Sequence, residues 1–165
     1  MKRHWRKIVK FVFCLSFLFL GRSFLFGQAA EAATLSFSPT SGAYAIGDSF
    51  SVGVYVSSSD KAMNAASGVV SFPSDKLEII SISKTNSIFS LWVQEPVFSN
   101  DTGTLNFEGI VLHPGFLGAN GKIISINFKV KAMGDAALVF SSGAILANDG
   151  QGMNILTDLG KANFR

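Results

Sequence analysis

The sequence has 165 residues, of which 48% are hydrophobic, 12% aromatic and 15% charged. A chain this apolar is not disordered, and its length fits one domain after any targeting segment is set aside. Its formal net charge of +3 would suggest nucleic acid or an anionic membrane as a partner. Six of the 14 Lys and Arg residues, but only one of the 11 Asp and Glu residues, lie in residues 1–32. The remaining chain is near −2, which removes the charge argument for both partners.

Residues 1–32 have the three parts of a secretory signal peptide. A basic segment ends at Lys10, residues 11–20 form an apolar run, and Ala30 and Ala32 supply the small residues of a cleavage site. An uncleaved membrane anchor is the alternative, although this run is shorter than the roughly 18 residues that cross a bilayer. Cys14 lies inside the run rather than at its end, which argues against a lipid-modified cysteine. We therefore expect a secreted or cell-surface protein with residues 33–165 as its one domain.

After this leader, hydrophobic residues alternate with polar ones in short stretches that are separated by turn residues. This two-residue period predicts β-strands, whereas no stretch has the period of a helix. The domain contains no cysteine, so it has to be stabilised by burial alone. Residues 84–96 and 113–121 are expected to be irregular. The pattern predicts a β-sandwich with strands at residues 34–38, 49–57, 64–72, 77–83, 97–100, 104–111, 123–130, 136–146 and 155–164.

Four segments, taken in order, carry a family resemblance. Residues 45–52 contain a Gly-Asp turn that leads into an alternating valine strand, and residues 70–78 join a strand to Phe72, Pro73 and a Leu-Glu pair. Residues 101–105 form an Asp-Thr-Gly turn, and residues 121–131 form an apolar strand that ends in Phe-Lys-Val. With these segments the chain resembles the cohesin family. The resemblance implies a nine-stranded jelly-roll sandwich, related in fold to some cellulose-binding modules.

The same resemblance implies a function and a surface. Cohesins are non-catalytic modules that bind dockerins, which are helical calcium-binding modules, in secreted or cell-surface assemblies that process polysaccharides. The dockerin meets the sheet built from strands eight, three, six and five. By pattern, the outward positions of strands three and six in this sequence are Ser67, Val69, Ser71, Asn106, Glu108 and Ile110. We expect these residues to form the partner-binding face.

Catalysis and metal binding have little support from the sequence. His113 is the only histidine after the leader and stands next to a proline in a predicted loop, which is typical of a solvated turn. Asp101 and Glu108 could act as a carboxylate pair, but a turn position and an outward strand position fit a solvated surface better. The turns around Asp101 and Asp149 each offer fewer oxygen ligands than calcium requires. We expect no enzyme activity, no metal and no cofactor.

Two alternatives to a protein-binding module remain open. A carbohydrate-binding module of the same fold would need aromatic platforms, and the candidates are Trp92, Tyr44 and Phe116, with Tyr55 as a further helper. Trp92 is the only tryptophan after the leader, and its place next to an apolar segment favours a role in capping the core. The second alternative is a structural cell-surface adhesion domain without a specific small ligand.

Overall fold

The computed structural model describes residues 32–165; the predicted signal peptide lies outside the described residues except for its last residue, Ala32. Within this range every regular element is a strand, and none of it forms a helix with the length and hydropathy that a membrane span requires. The strands are β1 Ala33–Ser38, β2 Ser41–Gly42, β3 Ser49–Ser71, β4 Leu77–Ser83, β5 Leu91–Ser99, β6 Thr104–Ile110, β7 Phe116–Val130, β8 Ala136–Ala147, β9 Leu156–Leu159 and β10 Lys161–Phe164.

Strand β3 organises the fold because it belongs to two layers. Its first half pairs with β1 on one side and β7 on the other, and its second half pairs with β8 and β6. The change of layer is at Ser58, whose buried hydroxyl donates to the Lys61 carbonyl oxygen at 2.6 Å. The first layer therefore has the order β9-β1-β3-β7-β4, and the second has the order β10-β8-β3-β6-β5, with β2 beside β10.

The hydrophobic core is formed by the alternate residues of both layers. Val52, Val54 and Val56 of the first half of β3 are fully buried, as is Val70 of its second half. Full burial of one such side chain contributes about 1.5–3 kcal/mol. The inward positions predicted for residues 104–111 are confirmed, since all four are buried: Leu105, Phe107, Gly109 and Val111. The all-β prediction is likewise confirmed.

The boundaries of several elements differ from the prediction. Strand β5 begins at Leu91 and β7 begins at Phe116, inside segments that were expected to be irregular. Both strands contain register shifts, which interrupt the two-residue period that a sequence pattern relies on. The described residues form ten strands rather than nine, because two predicted strands join in β3, the last predicted strand divides at Gly160, and β2 is additional.

Candidate functional site

The outer face of the second layer brings together the six residues expected at the partner surface. Ser67, Val69 and Ser71 of β3 are half-buried and alternate with inward residues such as Val70. Across the ladder, Ser67 is paired with Glu108 and Val69 with Asn106. Residues that alternate along a strand share one face, so these side chains all point away from the core.

Pairing across the four strands β8, β3, β6 and β5 arranges this surface in four rows. The rows are Leu146-Ala65-Ile110-Leu91, Ala144-Ser67-Glu108-Gln94, Ser142-Val69-Asn106-Val97 and Val139-Ser71-Thr104-Ser99. We call these residues the four-row face. Its first row is entirely apolar, and Leu91 in that row is 55% exposed. The residues from β8 and β5 were missed from the sequence, because outward positions were assigned only on strands three and six.

A shallow depression of about 220 Å³ lies in the middle of the four-row face. Small side chains of Ser67, Ser142 and Ala144 line it, and Gln94, Asn106 and Glu108 stand around it. Gly68 and Gly143 are paired beneath it and carry no side chains. A Cβ atom on Gly68 would lie 2.7 Å from Cζ of the core residue Phe107, so the glycine lets that ring reach the sheet backbone.

The electrostatics of the four-row face are simple. Glu108 is its only charged residue, and no lysine or arginine belongs to it. The carboxylate side chain is exposed and lies in the second row, next to the apolar first row. Such a surface offers hydrogen-bonding groups, apolar contacts and one negative charge. Groups of these kinds are typical of surfaces at which proteins contact each other.

Comparison with solved structures connects this architecture to a known one. No protein-family model and no curated protein sequence matches the chain. The sixth cohesin of scaffoldin B from Acetivibrio cellulolyticus, solved in complex with a Cel5 dockerin mutant, is 19% identical, with a TM-score of 0.63 over 81% of this chain and 99% of that one. The cohesin module of a family 33 glycoside hydrolase from Clostridium perfringens is 10% identical, with a TM-score of 0.64 over 81% and 95%. The chain has the cohesin fold.

Cohesin architecture is not confined to dockerin-bound examples among these structures. A non-cellulosomal cohesin from the archaeon Archaeoglobus fulgidus is 17% identical to this chain, with a TM-score of 0.60 over 81% of this chain and 91% of that one. At these identities the likeness establishes the fold, while the binding residues have to be argued from this chain.

The three aromatic residues considered as a sugar platform have different surroundings in this cohesin fold. The Tyr44 ring stacks on Phe50 with centroids 4.2 Å apart and an interplanar angle of 8°. Trp92 packs edge-on against Phe89 at 5.0 Å. Phe116 lies over Gly121, where a Cβ atom would be 2.6 Å from its Cζ. Among the described residues, no ring contact joins any two of the three.

The polar side chains in the turn that follows β8 are already bonded to other groups of the protein. Asp149 accepts hydrogen bonds from the backbone N–H groups of Gln151 and Gly152 and forms an ion pair with Lys61 at 3.2 Å. The Gln151 N–H is the main cause that lowers the pKa of the Asp149 carboxyl below 3.8, with Lys61 acting in the same direction. Asn148 donates to the Pro114 carbonyl oxygen at 2.7 Å.

The candidates for catalysis and metal binding lie on the surface. His113 is exposed, Asp101 is exposed in the turn after β5, and Glu108 belongs to the four-row face. Within residues 32–165 no three His, Cys, Asp or Glu side chains come close enough together to hold a metal ion.

Proposed function

We propose that residues 33–165 form a non-catalytic, extracellular protein-binding module whose four-row face docks a dockerin-type partner. The module would belong to a secreted or cell-surface assembly that processes polysaccharides. The observation that carries this proposal is the four-row face itself, a nearly uncharged sheet surface on strands β8, β3, β6 and β5 of a cohesin fold. Support comes from solved cohesins of this fold, several of which are complexes with dockerins.

The chemistry of the face suggests how the partner is held. The apolar row of Leu146, Ala65, Ile110 and Leu91 suits an apolar stripe on a helix, since apolar side chains recur on one helix face. Glu108, next to that row, suits a lysine or arginine of the partner. An exposed pair of this kind steers association and fixes orientation more than it adds affinity. The depression beside Glu108 admits a side chain between Ser67, Ser142 and Ala144.

The test is capture of defined partners by the exported protein. Dockerin-type proteins from the same source are assayed one by one by surface plasmon resonance. Val69→Arg places a charged chain in the middle of the face, and we expect it to weaken binding at least about tenfold. Ser49→Arg is the matched control, because Ser49 is an exposed residue of the same strand but in the other layer. Equal binding by both variants and the unchanged protein would reject the four-row face.

Two further measurements refine the proposal. Glu108→Gln keeps the size and hydrogen-bonding groups of the side chain but removes its charge, so we expect slower association and weaker dependence on salt. Chelation of calcium should abolish capture, because a calcium-binding partner unfolds without its metal. The effect is expected on the partner, since no metal cluster occurs among residues 32–165. Capture that survives chelation would point to a partner other than a dockerin.

A further inference from the structure

The outer face of the first layer carries one aromatic ring whose edge lies against a glycine of the sheet. Tyr55 is in the first half of β3, and its side chain leans back over Gly53 two residues earlier. A Cβ atom on Gly53 would lie 2.4 Å from Cε2 of Tyr55 and 3.0 Å from its Cζ and hydroxyl oxygen. Gly53 is buried although its Cβ direction is outward, because the ring covers it. Only glycine at this position lets the ring reach the backbone.

Serine hydroxyls surround this ring on the neighbouring strands. Ser36 of β1 is directly opposite Tyr55, while Ser38 of β1 and Ser125 of β7 are opposite Gly53 on its two sides. Neighbouring strands are about 4.8 Å apart, so Ser38 and Ser125 flank the ring closely on its two sides. Within the described residues, none of these three side chains nor the Tyr55 hydroxyl forms a hydrogen bond. Each hydroxyl can donate one hydrogen bond and accept two.

The surroundings of the ring contain few charges. Lys122 is the charged residue paired with Tyr55, and the next row, Ser51-Asn127-Ser81, is uncharged and joined by a hydrogen bond from Asn127 Nδ2 to Ser81 Oγ at 2.8 Å. This is the arrangement that a sugar ring needs. A pyranose has an apolar C–H face that stacks on an aromatic ring and a rim of hydroxyls that bond to polar side chains.

We infer that Tyr55 is the platform of a glycan-binding site that stacks one neutral hexopyranose or pentopyranose unit, with Ser36, Ser38 and Ser125 bonded to its hydroxyls. The site lies on the outer face of the layer opposite the four-row face, so it goes beyond the proposed protein-binding function and does not depend on it. One aromatic platform without a deep pocket gives weak binding, with a Kd on the order of 1 mM. Such affinity suits repeated contact with a polymer that presents many identical units.

The experiment titrates the exported, 15N-labelled protein with cellohexaose, xylohexaose and chitohexaose, followed by NMR. We expect at least one of these oligosaccharides to shift the amide signals of Gly53, Tyr55 and Ser125 with a Kd of about 1 mM. The three probes distinguish glucan, xylan and N-acetylated glycans as the source of the sugar. Absence of shifts around Tyr55 with all three at about ten times that concentration would overturn the inference.

Three variants test the role of the ring. Tyr55→Ala should weaken binding at least about tenfold, whereas Tyr55→Phe keeps the platform and should stay within about threefold. Gly53→Ala introduces a methyl group where the ring lies and should also weaken binding, because the ring has to tilt away. The spectrum of each variant shows whether it is folded. Unchanged binding by Tyr55→Ala would place the glycan elsewhere.

A fourth variant separates this inference from the protein-binding proposal. Val69→Arg alters only the four-row face and should leave the glycan titration unchanged, while Tyr55→Ala should leave partner capture unchanged. Loss of glycan binding in Val69→Arg would contradict a site at Tyr55. Each of the two proposals can thus fail without the other.

Discussion

The side-chain amide of Asn100 bonds both backbone groups of Ile79. Its Oδ1 accepts a hydrogen bond from the Ile79 N–H at 2.8 Å, and its Nδ2 donates to the Ile79 carbonyl oxygen at 3.0 Å. Ile79 lies in β4, which pairs only with β7 in the described part of the chain and forms an edge there. Asn100 directly follows β5 of the other layer. The amide thus replaces a neighbouring strand over one residue and protects part of an open edge.

Asn100→Ala should lower the free energy of unfolding by about 1–2 kcal/mol, because it leaves a part-buried N–H and a part-buried carbonyl of Ile79 without partners. Asn100→Asp should also be destabilising, since a carboxylate can accept from the N–H but presents a second acceptor to the carbonyl. Urea unfolding provides the measurement. The control is Asn163→Ala, an exposed strand asparagine with no side-chain hydrogen bond among the described residues, which should stay within about 0.5 kcal/mol. Equal losses of unfolding free energy at both positions would show that the hydrogen bonds between Asn100 and Ile79 add no stability of their own.

Gly68→Ala should destabilise the protein by about 1–3 kcal/mol, because the added methyl group would meet the fully buried Phe107 ring. Ser67→Ala, at the neighbouring outward position, should change the stability by less than about 0.5 kcal/mol. Thermal unfolding of both variants makes the comparison. A tolerated Gly68→Ala would mean that Phe107 has room to move, contrary to the packing described above.

The Asp149 carboxyl predicts a specific dependence of stability on pH. Its pKa in the folded protein is lowered. Its hydrogen bonds and its ion pair with Lys61 therefore contribute fully to stability above pH 3.8, which is the ordinary pKa of this carboxyl group. The contribution is lost as the pH falls through the lowered pKa. The stability difference between the unchanged protein and Asp149→Asn should therefore be constant near neutral pH and shrink below 3.8. Unfolding curves measured across this range would contradict the assignment if the difference grew in acid.

Cleavage of the leader should leave Ala33 as the first residue of the exported protein. This position is compatible with the fold, because Ala33 begins β1 and its backbone nitrogen donates to the Ile155 carbonyl oxygen at 3.1 Å, which a terminal ammonium can also do. Mass spectrometry of the exported protein determines the new terminus. Replacing Ala30 and Ala32 by Leu should block processing. A chain that keeps its leader in the unchanged protein would favour the membrane-anchor alternative.

Regular alternation explains which parts of the fold could be predicted. The inward residues of β6 were correct because this strand pairs with β3 without interruption. Strand β5 was largely missed because it has shifts between Trp92 and Gln94 and between Gln94 and Val97, each of which reverses the side-chain pattern. A sequence pattern cannot place such shifts, since they depend on the partner strand.

The candidate sites were predictable to different extents. Ser67 and Glu108 follow from the alternation of β3 and β6, but Ser142 depends on a shift in β8 that leaves both Ser141 and Ser142 exposed. Tyr44 and Tyr55 each follow a glycine by two residues, but only Tyr55 lies in a stretch of alternating valines. The structure stacks Tyr44 on Phe50, while the buried Val54 and Val56 on either side of Tyr55 direct its ring outward. That alternation was a usable signal for Tyr55.

The continuity of β3 through both layers has a mechanical consequence. Tyr55 and Val69 lie on this one strand but on opposite outer surfaces of the domain. A pulling force between a polysaccharide bound at one surface and a protein bound at the other would run along the covalent backbone of a single segment. Such a load would therefore not rest on the noncovalent packing between the two layers alone, because covalent bonds of β3 join the two binding surfaces.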